Sequence, residues 1–129
     1  MGDYSPPQSS DITPFTSQAS GTIVGGTLVT ASGDGTCAAS TTGDHPIGVA
    51  AQDAVSGQKI AVWPLSGVIH EISPQGVVAL AANNPVIAGT TGLINTGALG
   101  ASAAAGTLIG ICTKAGTGGT SKARFIGIA

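Results

Sequence analysis

Ile47-Gly48-Val49-Ala50-Ala51-Gln52-Asp53-Ala54, followed by Gly57-Gln58-Lys59-Ile60-Ala61-Val62-Trp63, is a run of small and β-branched residues broken once by a polar turn. The same order returns at Ile109-Gly110-Ile111-Cys112-Thr113-Lys114-Ala115, followed by Thr120-Ser121-Lys122-Ala123-Arg124-Phe125. Each copy reads as strand, turn, strand, because β-branched runs fit a pleated surface and Gly, Asp and Ser mark the reversals between them. A fainter match lies upstream of each copy: Gly26-Thr27-Leu28-Val29 with Gly33 and Gly35, then Asn84-Pro85-Val86-Ile87 with Gly89 and Gly92. Two such halves would pack as one pseudo-symmetric sheet structure. In so simple a composition, chance similarity stands as the alternative.

Outward from these segments, candidate strands fall at residues 27–31, 36–39, 47–52, 59–63, 67–72, 85–88, 92–95, 108–113 and 123–128. Their spacing of roughly ten residues is the rhythm of a sandwich or barrel. Ser32-Gly33-Asp34-Gly35 and Asn83-Asn84-Pro85 supply residues that tolerate positive φ or pre-set a turn, and Gly116-Thr117-Gly118-Gly119 does so more loosely. The 21 Gly and 7 Pro spread along the chain oppose helix. The one helical candidate, residues 100–105, is Ala-rich but too short to be expected as a helix. The fold class expected is all-β: a compact β-sandwich or barrel with an extended N-terminal arm and little helix. Residues 1–20, with Pro6, Pro7 and Pro14 among Ser, Thr, Gln and Asp, form the arm, and 21–129 the β-rich domain. Within the arm, Ile12-Thr13-Pro14-Phe15-Thr16 can form an edge strand if something pairs with it.

At 129 residues the chain is one domain by length. Its hydrophobic fraction is 42%, yet the aromatic residues are only Tyr4, Phe15, Trp63 and Phe125. Such a core is light, which favours help from oligomerisation or a partner. The full charges are Asp3, Asp11, Asp34, Asp44, Asp53, Glu71, Lys59, Lys114, Lys122 and Arg124, for a net of −2. Dispersed bases with no stacking platform argue against a nucleic-acid partner. The stretch from Glu71 to Lys114 holds no charge between its ends, but Gly, Asn, Pro, Thr and Ser interrupt it too often for a membrane span. MGDYSPPQSS has neither a basic region nor an apolar core, so no secretory signal is read and synthesis in the cytoplasm is expected. Cys37 and Cys112 are then expected as buried free thiols rather than a bridge.

Chemistry is hard to assemble from these residues. His45 sits in Gly43-Asp44-His45-Pro46, a turn sequence whose plain reading is a solvated loop. His70 lies in Val68-Ile69-His70-Glu71-Ile72, where alternation puts Val68, His70 and Ile72 on one face and Ile69 and Glu71 on the other. His70 is therefore a half-buried packing residue or an interface contact, and Glu71 points away from it. The two His and two Cys offer no short-spaced ligand pair for a metal. Turn capping accounts for Asp34, Asp44 and Asp53. The loops at Ser32-Gly33-Asp34-Gly35 and Gly116-Thr117-Gly118-Gly119 lack the glycine spacing and following helix of phosphate-binding loops. No catalytic residue, cofactor, metal or small-molecule substrate is expected, and the chain reads as a non-enzyme. Trp63 is assigned to the core.

The order of these pieces resembles the small capsid decoration, or cement, proteins of tailed bacteriophages, and more distantly the lambda-type head decoration proteins. The resemblance is carried by Gly25-Gly26-Thr27-Leu28-Val29, the turn Ser32-Gly33-Asp34-Gly35, Pro46-Ile47-Gly48-Val49-Ala50 with Asp53-Ala54, Gly57-Gln58-Lys59-Ile60-Ala61-Val62-Trp63, Gly67-Val68-Ile69-His70 and Leu108-Ile109-Gly110-Ile111. It covers roughly residues 20 to 128. It implies a β-tulip-like domain on the outer capsid surface of the virion, made in the host bacterial cytoplasm, that binds the major capsid protein and stabilises the phage head. A homotrimer with an N-terminal arm on the capsid is the lambda-type arrangement; this sequence lacks that type's anchor motifs, which leaves trimer and monomer open. On this reading Asp11, Ile12, Thr13, Pro14 and Phe15 are the capsid-binding candidates, ordering on a capsid strand with Phe15 as the anchor. The rival function is a receptor- or glycan-binding β module of a tail fibre or surface appendage, which the scarcity of aromatic residues disfavours.

Overall fold

The computed structural model describes residues 13–128. It is a mainly β structure in two strand units. In the first, β1 (Phe15–Ala19), β2 (Leu28–Gly33), β3 (Thr36–Ala39), β4 (Gly48–Ala50) and β5 (Lys59–Pro64) close a barrel in the order β1-β3-β2-β4-β5. In the second, β6 (Ile69–Ile72), β8 (Pro85–Ala88), β9 (Ile94–Thr96), β10 (Leu108–Lys114) and β12 (Ala123–Gly127) form a sheet in the order β6-β12-β10-β8-β9, with β7 (Ala79–Leu80) and β11 (Gly116–Thr117) as a separate ladder.

The repeated sequence is a repeated ladder. Gly48↔Pro64, Val49↔Trp63 and Ala50↔Val62 are matched by Gly110↔Gly127, Ile111↔Ile126 and Cys112↔Phe125. Phe15↔Val62 and Ser17↔Ile60 are matched by His70↔Phe125 and Ile72↔Ala123. Val29↔Ala39 and Ala31↔Cys37 correspond to Val86↔Thr96 and Ala88↔Ile94. The parallel closure Ala19↔Cys37 recurs as the single bridge Pro74↔Ile94, and Ile23↔Ala54 recurs as Leu80↔Gly116. The upstream match differs by one residue from the sequence alignment, because the ladder sets Val29 against Val86 and Gly26 against Asn83. Gly26 and Asn83 share a left-handed backbone, φ 81° and 74°, which glycine and asparagine tolerate best.

Side-chain alternation then sorts the core. The first barrel encloses Ala19, Ile23, Val29, Cys37, Ala50, Ala54, Ile60 and Val62, with Ile47 packed against them. On the opposite faces of β2 and β4, Leu28 and Val49 join Leu65, Ile72, Leu80, Val86, Ile94, Ile109, Cys112 and Phe125 in one cluster, so the outside of the first barrel is the floor of the second unit. Trp63 lies half-buried against this cluster, at the seam between the units. Cys37 and Cys112 are buried free thiols.

Each strand expected from sequence is present within a few residues, whereas β1, β7 and β11 were not expected inside the fold. Residues Phe15–Ala19, read as part of the arm, pair with β5 and β3 and complete the first barrel, so the chain is already within the barrel from Phe15 onward. A partner inside the same chain was invisible to a reading that looked only at local composition. The segment near 100–105 does form a short helix, α1 (Leu99–Ala105). Gly106 ends it in the left-handed region at φ 73°, and the buried Ser102 ties its start by accepting from Ala98 N–H at 3.1 Å.

Gly48 and Gly110 are equivalent positions, and a methyl group on either would strike the backbone carbonyl of the facing strand, at Trp63 and Ile126 respectively. Gly48→Ala and Gly110→Ala are each expected to cost about 1–3 kcal/mol in urea unfolding. Gly100→Ala, in the open on α1, is expected to be neutral or to stabilise by up to about 1 kcal/mol.

Candidate protein-binding surface

The capsid-binding candidates are not all in view: Asp11 and Ile12 lie outside the described residues. Thr13 is exposed, Pro14 half-buried, and Phe15 39% exposed at the head of β1. Phe15 and Thr16 pair with Val62 and Ala61 of β5 on one side. β3 joins β1 only from Gln18, so among the described strands none pairs with the other side of Phe15 and Thr16. Strand addition upstream of Ser17 is thus compatible with the barrel, whose own closure starts at Gln18 with its N–H donated to the Gly35 carbonyl at 3.1 Å.

Two depressions flank the ladders. One, of about 270 Å³, lies where Ile23 bridges Ala54 and is lined by those residues with Val24, Asp53, Val55 and Gln58. Its character is apolar, with Val24 and Val55 44% and 55% exposed. The other, of about 500 Å³, belongs to the second unit and is lined by polar and charged groups, among them Glu71, Ser73, Lys114, Ser121 and Lys122. Beside it, Arg124 Nε donates to Glu71 Oε2 at 2.9 Å across the β6–β12 pair, a half-exposed ion pair of modest worth. A third surface follows from the duplication. In the first unit Leu28 and Val49 are fully covered by the second unit and Trp63 beside them is half-buried at the seam; the equivalent row, Pro85, Ile111 and Ile126, is continued across β6 by Ile69 and is half-buried throughout. No sequence signal separates the covered row from the uncovered one, because both are equally apolar.

The residues considered for chemistry are dispersed. Asp44 caps its own loop, accepting from Thr41 N–H at 2.8 Å and Thr41 Oγ1 at 3.0 Å, and Asp53 accepts from Gly25 N–H at 2.8 Å. His45 is exposed. His70 is 1% exposed between Val68 and Ile72, with its ring tilted against Phe125 at 5.8 Å. Its Nε2–H donates to the Pro64 carbonyl at 2.8 Å, and Nδ1 is buried without a partner. Glu71 is on the opposite face, as alternation requires. Among the described residues no group of three His, Cys, Asp or Glu is placed to hold a metal, and no helix is long and apolar enough to cross a membrane.

No family model matches the chain, and no curated protein matches it either. Among solved structures, it is similar to the N base of head fiber gp8.5 in bacteriophage phi29, with a TM-score of 0.67 over 90% of this chain and 93% of that one, at 14% identity. The two share a fold.

Burial holds the His70 imidazole below its ordinary value near 6.5, and its bond to the Pro64 carbonyl only partly offsets this. The folded state therefore favours the neutral ring, while the unfolded chain takes up a proton below about pH 6.5. The His70 contribution to stability should be constant above that pH and fall by up to about 1.4 kcal/mol per unit as pH drops from 6.5 toward the lowered folded value. Urea midpoints at pH 7.5 and 5.5 should show this drop in the wild type and much less of it in His70→Phe.

Proposed function

We propose that this chain is a structural protein of a phage head. It binds the outer surface of the shell formed by the major capsid protein and stabilises it, acting through surface contact and not through catalysis. The observation that carries the proposal is the fold shared, over nearly the whole of both chains, with a protein whose name places it in a head fiber. Three features of the molecule support it. The N-terminal segment leads into a strand whose upstream half has an unpaired side among the described strands. The second unit keeps Pro85 and Ile111 half-buried where the equivalent Leu28 and Val49 of the first unit are fully covered. Asp44 and Asp53 cap turns, Arg124 and Glu71 pair with each other, and His70 is packed in the core.

In this reading the segment Asp11, Ile12, Thr13, Pro14 and Phe15 adds a strand to the capsid protein, extending β1 outward from the barrel. Phe15 supplies an apolar anchor at the junction. A homotrimer over a local three-fold axis is the arrangement that the resemblance to lambda-type proteins implies, and mass measurement of the chain on heads would test it. The name of the structural neighbour favours a second reading, in which the chain is the base of a fibre that carries further protein outward. Electron microscopy of virions separates the two, since a cement protein leaves a low knob and a fibre base leaves a projecting shaft.

The position of β1 fixes how the arm is tested. Removing residues 1–12 should leave thermal unfolding unchanged and reduce co-sedimentation with heads assembled without the protein by at least about tenfold. Removing residues 1–16 also deletes Phe15 and Thr16 from their pairs with Val62 and Ala61, and should destabilise the barrel as well. Full head binding by the 1–12 deletion would sink the arm mechanism.

A further inference from the structure

The charges divide between the two units. One lysine against three aspartates leaves residues 15–64 at −2, and three bases against one glutamate leave residues 69–127 at +2. The apolar shapes divide in the same way. The first unit carries the depression around Ile23, Val24, Ala54 and Val55, with Asp53 among its lining. At the matching place the second unit carries a projection. Pro74 to Leu80 is two residues longer than the equivalent step from Ala19 to Ile23, and the extra length forms a tight turn in which Val78 N–H donates to the Gln75 carbonyl at 3.0 Å.

That turn is unusual in its chemistry. Gly76 meets the need for positive φ at 51°, but the next residue is Val77, 88% exposed, at a position where Asn, Asp, Ser or Gly serves the backbone better. Val77 gives the fold nothing that a polar residue would not. Gly118 packs so closely beneath the turn that a methyl group there would strike the Gly76 carbonyl, which holds the projection firmly. Gly119, adjoining Gly118, helps line the depression that also takes Lys114 and Lys122, so the apolar tip stands beside the basic groove.

We propose that two copies of this chain associate head to tail, with the Val77 turn of the second unit of one copy seated in the Val24–Val55 groove of the first unit of the next. The pairing brings apolar tip to apolar groove and the +2 unit to the −2 unit. The two surfaces differ, so the contact is heterologous and repeats from copy to copy until it closes. The lysines steer the approach and make it salt-dependent, while the buried valines hold it. This inference stands apart from the capsid reading, since it concerns the free protein and is measured without heads.

The test is sedimentation equilibrium of the full chain as wild type, Val77→Asp, Val55→Asp and an equimolar mixture of the two variants. Both substitutions are at exposed positions, so circular dichroism and thermal unfolding should match the wild type. The wild type should exceed the mass of one chain in a concentration-dependent manner, and each variant alone should associate at least about tenfold more weakly. The mixture should yield two-chain species and nothing larger, because Val77→Asp keeps an intact groove and Val55→Asp an intact turn. A wild type that stays at one chain, a Val77→Asp variant that associates as the wild type does, or a mixture that stays monomeric each overturns the proposal. Association that emerges only after residues 1–12 are deleted would give the groove to the chain's own N-terminal segment, and would overturn it as well.

Discussion

A ring of five strands leaves little room inside, and this narrowness governs the molecule. The first barrel is filled by Ala19, Val29, Cys37, Ala50, Ala54, Ile60 and Val62, none larger than isoleucine. The second unit, a five-stranded sheet whose outer strands meet at the Pro74↔Ile94 bridge, redistributes volume: Ile60 and Val62 on β5 become Ala123 and Phe125 on β12, and Ala50 becomes Cys112. Glycine enters for the same reason. Gly48 and Gly110 let the facing strand come close enough for the sheet to curl. A composition poor in aromatics and rich in Ala, Val and Gly is thus what small closed sheets require, and the lightness of the core follows from its geometry.

Much of the fold was legible because a strand leaves a local signal. The β-branched runs at 59–63 and 108–113, and the turns that bound them, locate β5 and β10 without any knowledge of their neighbours. The internal repeat was also legible, and the structure raises it from paired strand-turn-strand segments to two complete ladders. What was lost is what depends on a distant partner. Phe15–Ala19 is polar and follows three prolines, and its pairing with β5 and β3 makes it a strand. α1 is too short to stand alone and forms because Ser102 and Gly106 secure its ends.

The site was legible only in part. Alternation placed His70 and Glu71 on opposite faces correctly, since that rule needs no partner. The burial of His70 was underestimated, because the covering Phe125 comes from a strand more than fifty residues away. The two depressions and the Val77 turn carry no motif. The turn arises from a small difference in loop length between equivalent steps, which is visible only once the ladders define what is equivalent.

The parallel closure of β1 on β3 has a consequence for synthesis. Every strand of the first ring ends at or before Pro64, so all its pairing partners leave the ribosome ahead of the first strand of the second unit. The nascent ring nonetheless keeps Leu28 and Val49 uncovered on its outer wall, because their cover, including Ile109 and Phe125, arrives last. Early closure and late burial are thereby separated along the chain, and a half-made protein whose ring has closed is still sticky on one side.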